Sequence, residues 1–299
     1  MKTFVPNYYK DFRCIAHKCK HNCCIGWEID IDEDTLSLYN NMKTPFKKQL
    51  ADGINRNEDC ACFKLDGKGR CVFLNENNLC EIILNIGENS LCQICTDHPR
   101  FKNFYSNRIE MGLGLCCEEA GRIILSQKEP FSLEKISDDS VDALETQDEI
   151  DFFEYREYLF NRIEEDASIS DLCEYEFPSK TVSQWADVFL SLERLDEYWT
   201  VLLNDLKSTD IENVTIPEEF EHCFKNLLTY FAYRHLNEFS NEKDLIFIHL
   251  SCEMIKNLCK THIKKYGDLK FEDIVEYSRM YSSEIEYSDE NIEKIIEML

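Results

Sequence analysis

The chain has 299 residues, 43% of them hydrophobic, with 33 Lys+Arg against 58 Asp+Glu and a formal net charge of −25. That apolar fraction suffices for a buried core and the length suits two domains, while the negative excess repels nucleic-acid phosphates and anionic membranes and so excludes both as partners. No run of about 18 apolar residues occurs, and Met1–Arg13 lacks the apolar stretch of a secretory leader, so a cytoplasmic, thiol-reducing location is expected.

The charge is unevenly spread. Residues 1–125 hold 16 Lys+Arg against 17 Asp+Glu, and the remainder holds 17 against 41. The acidic second part would attract a lysine-rich partner, or serve as a solubility face. Cysteine is concentrated the other way. Twelve of the 16 cysteines lie between Cys14 and Cys117. Crowded thiols need either pairing or a cation, and in a reducing compartment the balance moves from disulfides to a soft metal.

In chain order, Trp27–Asp32 alternates apolar and polar residues, a short strand signature. Leu79–Ile86 reads as a helix ended by Gly87. Arg100–Tyr105 and Arg108–Leu115 flank Ser106-Asn107 as a hairpin, and Cys117–Leu125 returns to a helical pattern. The stretch 126–150 carries Ser-Asp-Asp-Ser at 137–140 and Glu-Thr-Gln-Asp-Glu at 145–149 and reads as an acidic linker or loop. Beyond it, Asp151–Ile163, the spaced series Trp185 to Leu206, the series Phe220 to Phe231, Leu245–Cys259 and Asn291–Leu299 repeat at helical steps. The expected fold is therefore α+β and mostly α. An irregular Cys-rich metal-binding part with a short hairpin spans 1–125, and an acidic helical domain spans 151–299.

The thiols form the series Cys14, Cys19, Cys23-Cys24, Cys60, Cys62, Cys71, Cys80, Cys92, Cys95 and Cys116-Cys117, with Cys92 to Cys95 the one CxxC. A zinc ribbon shows two such knuckles, and an iron–sulfur cluster needs four thiolates that can arrive from separate loops. Spacing alone leaves zinc and iron open. Cys223 and Cys252 sit in apolar helical patterns as small core residues. His17, His21 and His98 lie among the thiols, as ligands or as neighbours of ligands. No Gly-x-Gly-x-x-Gly follows a strand, so an ordinary Rossmann-type methyltransferase domain is not expected.

Asp11-Phe12-Arg13-Cys14, Cys19, Cys23-Cys24, Gly26-Trp27 and Ile29-x-Ile31-Asp32 resemble the opening of the flagellin lysine-N-methylase family. Cys71-Val72-Phe73-Leu74, Leu79-Cys80-Glu81-Ile82 and Gly87-Glu88 resemble its middle block, and Leu91, Cys95, Pro99-Arg100 and Cys117-Glu118-Glu119-Ala120-Gly121-Arg122 resemble the block after that. Val72 and Glu118 stand where the family usually has proline, His98 where it has tyrosine, and Cys60, Cys62, Cys92 and Cys116 lie outside the pattern. The resemblance implies a metal set of Cys14, Cys19, Cys23, Cys24, Cys71, Cys80, Cys95 and Cys117. It also implies a 4Fe-4S cluster, S-adenosylmethionine as methyl donor and flagellin lysines as substrate; the other possibility is a non-enzymatic module holding zinc or iron.

Methyl transfer needs a neutral amine, and free lysine titrates near a pKa of about 10.4. Under the resemblance, Glu118, Glu119 and Tyr105 are the candidate catalytic groups; the two glutamates would otherwise charge the first turn of a helix. Arg100 would bind the donor carboxylate or pair with a structural Asp. Trp27 would wall a cationic pocket or pack on its strand.

Overall fold

The computed structural model describes residues 1–56, 60–138, 144–165 and 179–299. Asp139 and Ser140 of the acidic stretch, and Cys173, lie outside the described residues. In chain order the elements begin with β1 (Lys2–Pro6), α1 (Glu33–Asn41), α2 (Lys47–Asp52), β2 (Ile54–Arg56) and β3 (Ala61–Phe63). Then come α3 (Glu81–Ile86), α4 (Gln93–Asp97), β4 (Arg100–Phe104), β5 (Arg108–Leu113), α5 (Glu118–Leu125) and β6 (Leu133–Asp138). The rest is helical: α6 (Gln147–Glu164), α7 (Val182–Ser191), α8 (Glu197–Ser208), α9 (Glu221–His235), α10 (Glu242–Tyr266), α11 (Phe271–Tyr281) and α12 (Asp289–Glu297). The α+β, mostly helical class is as expected, and no described helix is long and apolar enough to cross a membrane.

Two compact units emerge, and their borders differ from the sequence-based division at 125 and 150. A thiol-rich unit runs from Arg13 to Arg100, while Met1–Phe12 joins Phe101–Leu299 in a helical unit. The reason lies in β1, which has no strong sequence signal. It pairs in parallel with β5, Lys2 opposite Arg108, and antiparallel with β6, Pro6 opposite Leu133. The helical unit thus contains a four-stranded sheet of order β4-β5-β1-β6. The segment read as a linker supplies the outer strand β6, whose polar residues suit an edge exposed to water.

In the thiol-rich unit the alternation at Trp27–Asp32 places Ile29 and Ile31 inward, both buried. Their backbones meet β3: Ile31 donates to Ala61, and Phe63 donates to Ile29. Phe63 and Phe73 pack edge to face at 5.2 Å, with Phe46 on Phe73 at 6.0 Å. Asp32 caps α1 through Thr35 N at 2.9 Å, and its second oxygen accepts Gln93 N at 2.8 Å, so one carboxylate fixes the starts of α1 and α4.

In the helical unit the spaced series from Trp185 to Leu206 is two helices, not one. The turn between them is held by buried Glu284, which accepts Leu195 N and Asp196 N at 2.8 Å each. Asp196 then caps α8 through Tyr198 N. Helix α10 extends beyond the expected Leu245–Cys259 in both directions, from an Asn241/Asp244 capping box to Gly267 in the left-handed region at φ 88°.

Glu149 illustrates how local and distant bonds combine. It closes a capping box with Thr146 and also accepts Ser106 N at 2.6 Å from the β4–β5 turn. Burial would raise its pKa, but the N–H groups of Ser106 and Thr146 prevail and lower it. A lowered carboxyl stabilises the fold above its unfolded pKa and loses that contribution as pH falls through the folded value. Glu149→Ala is expected to cost about 1–2 kcal/mol near neutral pH, measured by urea unfolding. The difference from the parent should shrink toward acid; a penalty equal at pH 3 and pH 7 would refute this assignment.

Candidate metal centre

Cys24, Cys71, Cys80 and Cys95 line one small cavity in the thiol-rich unit. Its walls are otherwise apolar, with Ile29, Phe63 and Phe73 among them, and the space inside it is small, about 20 Å³. The four thiols come from four separate stretches, each set by local bonds. Asn22 Oδ1 accepts Cys24 N at 2.9 Å, turning the chain at the vicinal pair. Cys24 O accepts Cys71 N at 2.8 Å and Gly69 O accepts Gly26 N at 2.9 Å, which zips the first two loops together. Gly26 and Gly69 sit at φ 95° and 71°, the left-handed region that favours glycine. Cys80 precedes α3, bridged to Leu74 across the turn at Asn75–Asn78. Cys95 lies within α4, which Cys92 begins.

Two further thiols touch these four. Cys24 donates to Cys23, which holds the Cys23 thiol down to about 4 despite burial, with His98 assisting; the Cys24 thiol is pushed up in return. Cys95 donates to Cys92 in the same way, lowering Cys92 and raising itself. Each pair therefore holds one proton readily and one weakly. Burial raises Cys71 and Cys80, although backbone N–H groups of Phe73 and Leu74, and of Ile83 and Ile82, point at their sulfurs. Those N–H groups are placed to donate to thiolate once a cation offsets the burial.

No disulfide joins any of the fifteen described cysteines. Among the described residues, no three His, Cys, Asp or Glu side chains stand close enough to hold a single metal ion. One tetrahedral zinc draws its thiolates to about 2.3 Å from one point. A cluster spreads its four thiolates over separate iron corners. Four of the thiols line one cavity, and among the described residues none of the ligand groups gathers on a single point.

The structure gathers four of the eight family-like cysteines and attaches Cys23 to them. It does not bring Cys14 or Cys19 to the cavity wall: Cys14 is exposed, and Cys19 donates to His21 O at 3.0 Å. Cys117 belongs to the helical unit, at the start of α5. Cys92 lay outside the expected set, although the CxxC spacing with Cys95 pointed to it. Trp27 is 40% exposed and donates its indole N–H to Cys23 O at 2.7 Å, so it pins the vicinal pair. Arg100 donates to Thr96 O at 3.2 Å.

The remaining expected residues lie in the helical unit. Glu118 and Glu119 occupy the first turn of α5, and Glu119 forms a two-pronged pair with Arg122 at 2.5 and 2.8 Å. Tyr105 is buried, stacked on Phe152, and accepts Arg156 at 3.4 Å. Burial pushes its hydroxyl up to about 12, which keeps it protonated at neutral pH.

Sequence comparison adds an independent line. The chain is similar to the Flagellar biosynthetic protein FliU of Salmonella muenchen, 29% identical over 134 residues, or 43% of this chain and 79% of that protein. It is likewise 29% identical over 134 residues to the Lysine-N-methylases of Salmonella choleraesuis and Salmonella typhimurium, a match that spans 33% of their length. No solved structure matches. The family model for the FliB lysine N-methylase C-terminal domain matches residues 110–299, the greater part of the chain and nearly all of the helical unit from β5 onward. Matched over so long a stretch, the chain belongs to the FliB lysine N-methylase family.

Proposed function

We propose that the protein is a protein lysine N-methyltransferase that acts on flagellin with S-adenosylmethionine as donor. The family match over residues 110–299 carries this reading. The reaction moves a methyl group from the donor sulfonium to a lysine nitrogen, and a proton must leave that nitrogen first. Glu118, in the first turn of α5, is the carboxylate we assign to that proton. The strongly acidic second part of the chain recruits the lysine-bearing substrate.

We further propose that Cys24, Cys71, Cys80 and Cys95 hold a 4Fe-4S cluster, with Cys23 and Cys92 as their hydrogen-bonded neighbours. The donor set fits, because all four groups are soft thiols on one apolar-walled cavity. When bound, such a cluster supplies an electron-accepting iron centre and a cross-link between four loops.

The test is transfer from isotope-labelled S-adenosylmethionine to flagellin by anaerobically purified protein, read by mass spectrometry of flagellin peptides. Methyl-lysine should appear, and Glu118→Gln should slow its formation by about 10²–10⁴-fold, the range of general-base catalysis. Iron-loaded protein that transfers no label to any lysine would overturn the enzymatic reading.

A further inference from the structure

Six thiols meet at the cavity of the thiol-rich unit, and the proposed cluster uses four of them. Cys92 is one of the two left over. It is fully buried, stands at the N-cap of α4 and lies in hydrogen-bond contact with Cys95. Cys95 lines the cavity and is only partly buried. A surplus thiol held against a proposed ligand thiol has one reaction open to it that a lone ligand lacks, which is to bond to that sulfur.

The spacing of the two residues suits a disulfide. Thr96 N donates to Cys92 O at 2.9 Å, so the first turn of α4 closes from Cys92 onward. A helix rises about 1.5 Å per residue on a cylinder of about 2.3 Å radius, which puts Cα atoms three residues apart about 5 Å from each other. Disulfides span Cα separations of about 4.4–6.8 Å. Cys92 and Cys95 therefore join by side-chain movement alone. The other contacting pair does not suit: Cys23 and Cys24 are neighbours in the chain, and neighbouring Cα atoms stand about 3.8 Å apart, below that range.

We propose that Cys92 and Cys95 form a reversible dithiol–disulfide switch that withdraws Cys95 from metal binding when a small-molecule disulfide is in excess. First the Cys95 sulfur, the more accessible of the two, bonds to one sulfur of the small disulfide, whose S–S bond breaks. The departing sulfur leaves with the bonding pair and takes up the Cys95 proton as a free thiol. Then the Cys92 sulfur bonds to that of Cys95, the mixed disulfide breaks, and the second small thiol leaves with the Cys92 proton. The two protein sulfurs give up two electrons and the small disulfide takes them. Once oxidised, Cys95 offers no thiolate, and three of the four proposed ligands remain. The effect on iron rests on the proposed cluster; formation of the disulfide does not.

The test equilibrates the full chain, purified without oxygen, with mixtures of reduced and oxidised glutathione, then alkylates it and reads its peptides by mass spectrometry. As the oxidised share rises, the peptide holding Cys92 and Cys95 should lose two hydrogens and resist alkylation, while Cys71 and Cys80 stay alkylated. Iron and sulfide uptake by the linked protein should fall about tenfold or more, as for loss of a metal's supporting groups, and dithiothreitol should restore it. Cys92→Ser is the diagnostic variant, since serine also suits an N-cap. It should keep iron uptake when reduced and, when oxidised, retain glutathione on Cys95 as an unresolved mixed disulfide. A link between Cys23 and Cys24 or between Cys71 and Cys80 in its place, or no link at any ratio, overturns the switch. Undiminished iron uptake by the linked protein overturns its hold on the metal. A link that forms in a chain whose reduced form takes up no iron sinks the cluster proposal alone.

Discussion

Cys71→Ser, prepared without oxygen, is expected to lose on the order of nine-tenths of its bound iron and to destabilise Arg13–Arg100 in the same step. Binding and folding are one process where a metal ties loops together, and structural metals contribute roughly 10–16 kcal/mol in small zinc domains. The thiol-rich unit has a modest core around Ile29, Phe63 and Phe73, so the proposed cross-link among its loops would carry much of its stability. Cys71 sits at the junction: its N–H bonds Cys24 O, and its sulfur lies on the cavity beside Cys24, Cys80 and Cys95. Cys60→Ser is the control, since Cys60 is exposed and does not line the cavity. Iron and sulfide content, visible absorption and proteolysis of the unit measure the outcome. Full iron content in Cys71→Ser, or equal loss in Cys60→Ser, would move the centre elsewhere.

Glu110→Ala should destabilise the helical unit by about 3–5 kcal/mol, the cost of stranding buried charge. Glu110 on β5 is fully buried and pairs with both Arg108 and Arg156, the latter at 2.6 Å. Arg108 lies between the rings of Phe4 and Phe153, 4.1 and 4.2 Å from their centroids, and Arg156 is only 2% exposed. Without the carboxylate, two guanidinium groups remain inside with one aromatic cage between them. Urea unfolding at neutral pH measures the loss, and the double variant Glu110→Leu/Arg156→Met should recover only the part due to Arg156, because Arg108 still lacks its carboxylate partner. A loss under about 1 kcal/mol in Glu110→Ala would show that water reaches the site.

These two sites differ in how far the residue pattern foretold them. The thiols were conspicuous, and Cys24, Cys71, Cys80 and Cys95 all belonged to the family-like set. Yet Cys14 and Cys19 stood beside Cys23 in sequence with the same apparent claim, and Cys92 had none beyond its CxxC spacing. Glu110, Arg108 and Arg156 carried no such signal, since a charged residue in a strand ordinarily faces water. Their pairing depends on α6 delivering Arg156 to the underside of β5.

Most helix positions and family membership were written locally in the chain, though Thr146 and Glu149, read as linker, turned out to cap α6. Such signals act over three or four residues, or over short motifs, and need no distant partner. The recruitment of β1 and β6 to one sheet, the gathering of four thiols on one cavity, and the pairing of Glu110 with Arg156 came only from the folded chain. Each joins segments tens to hundreds of residues apart, and whether such segments meet is decided by how the whole core packs rather than by any neighbouring residue.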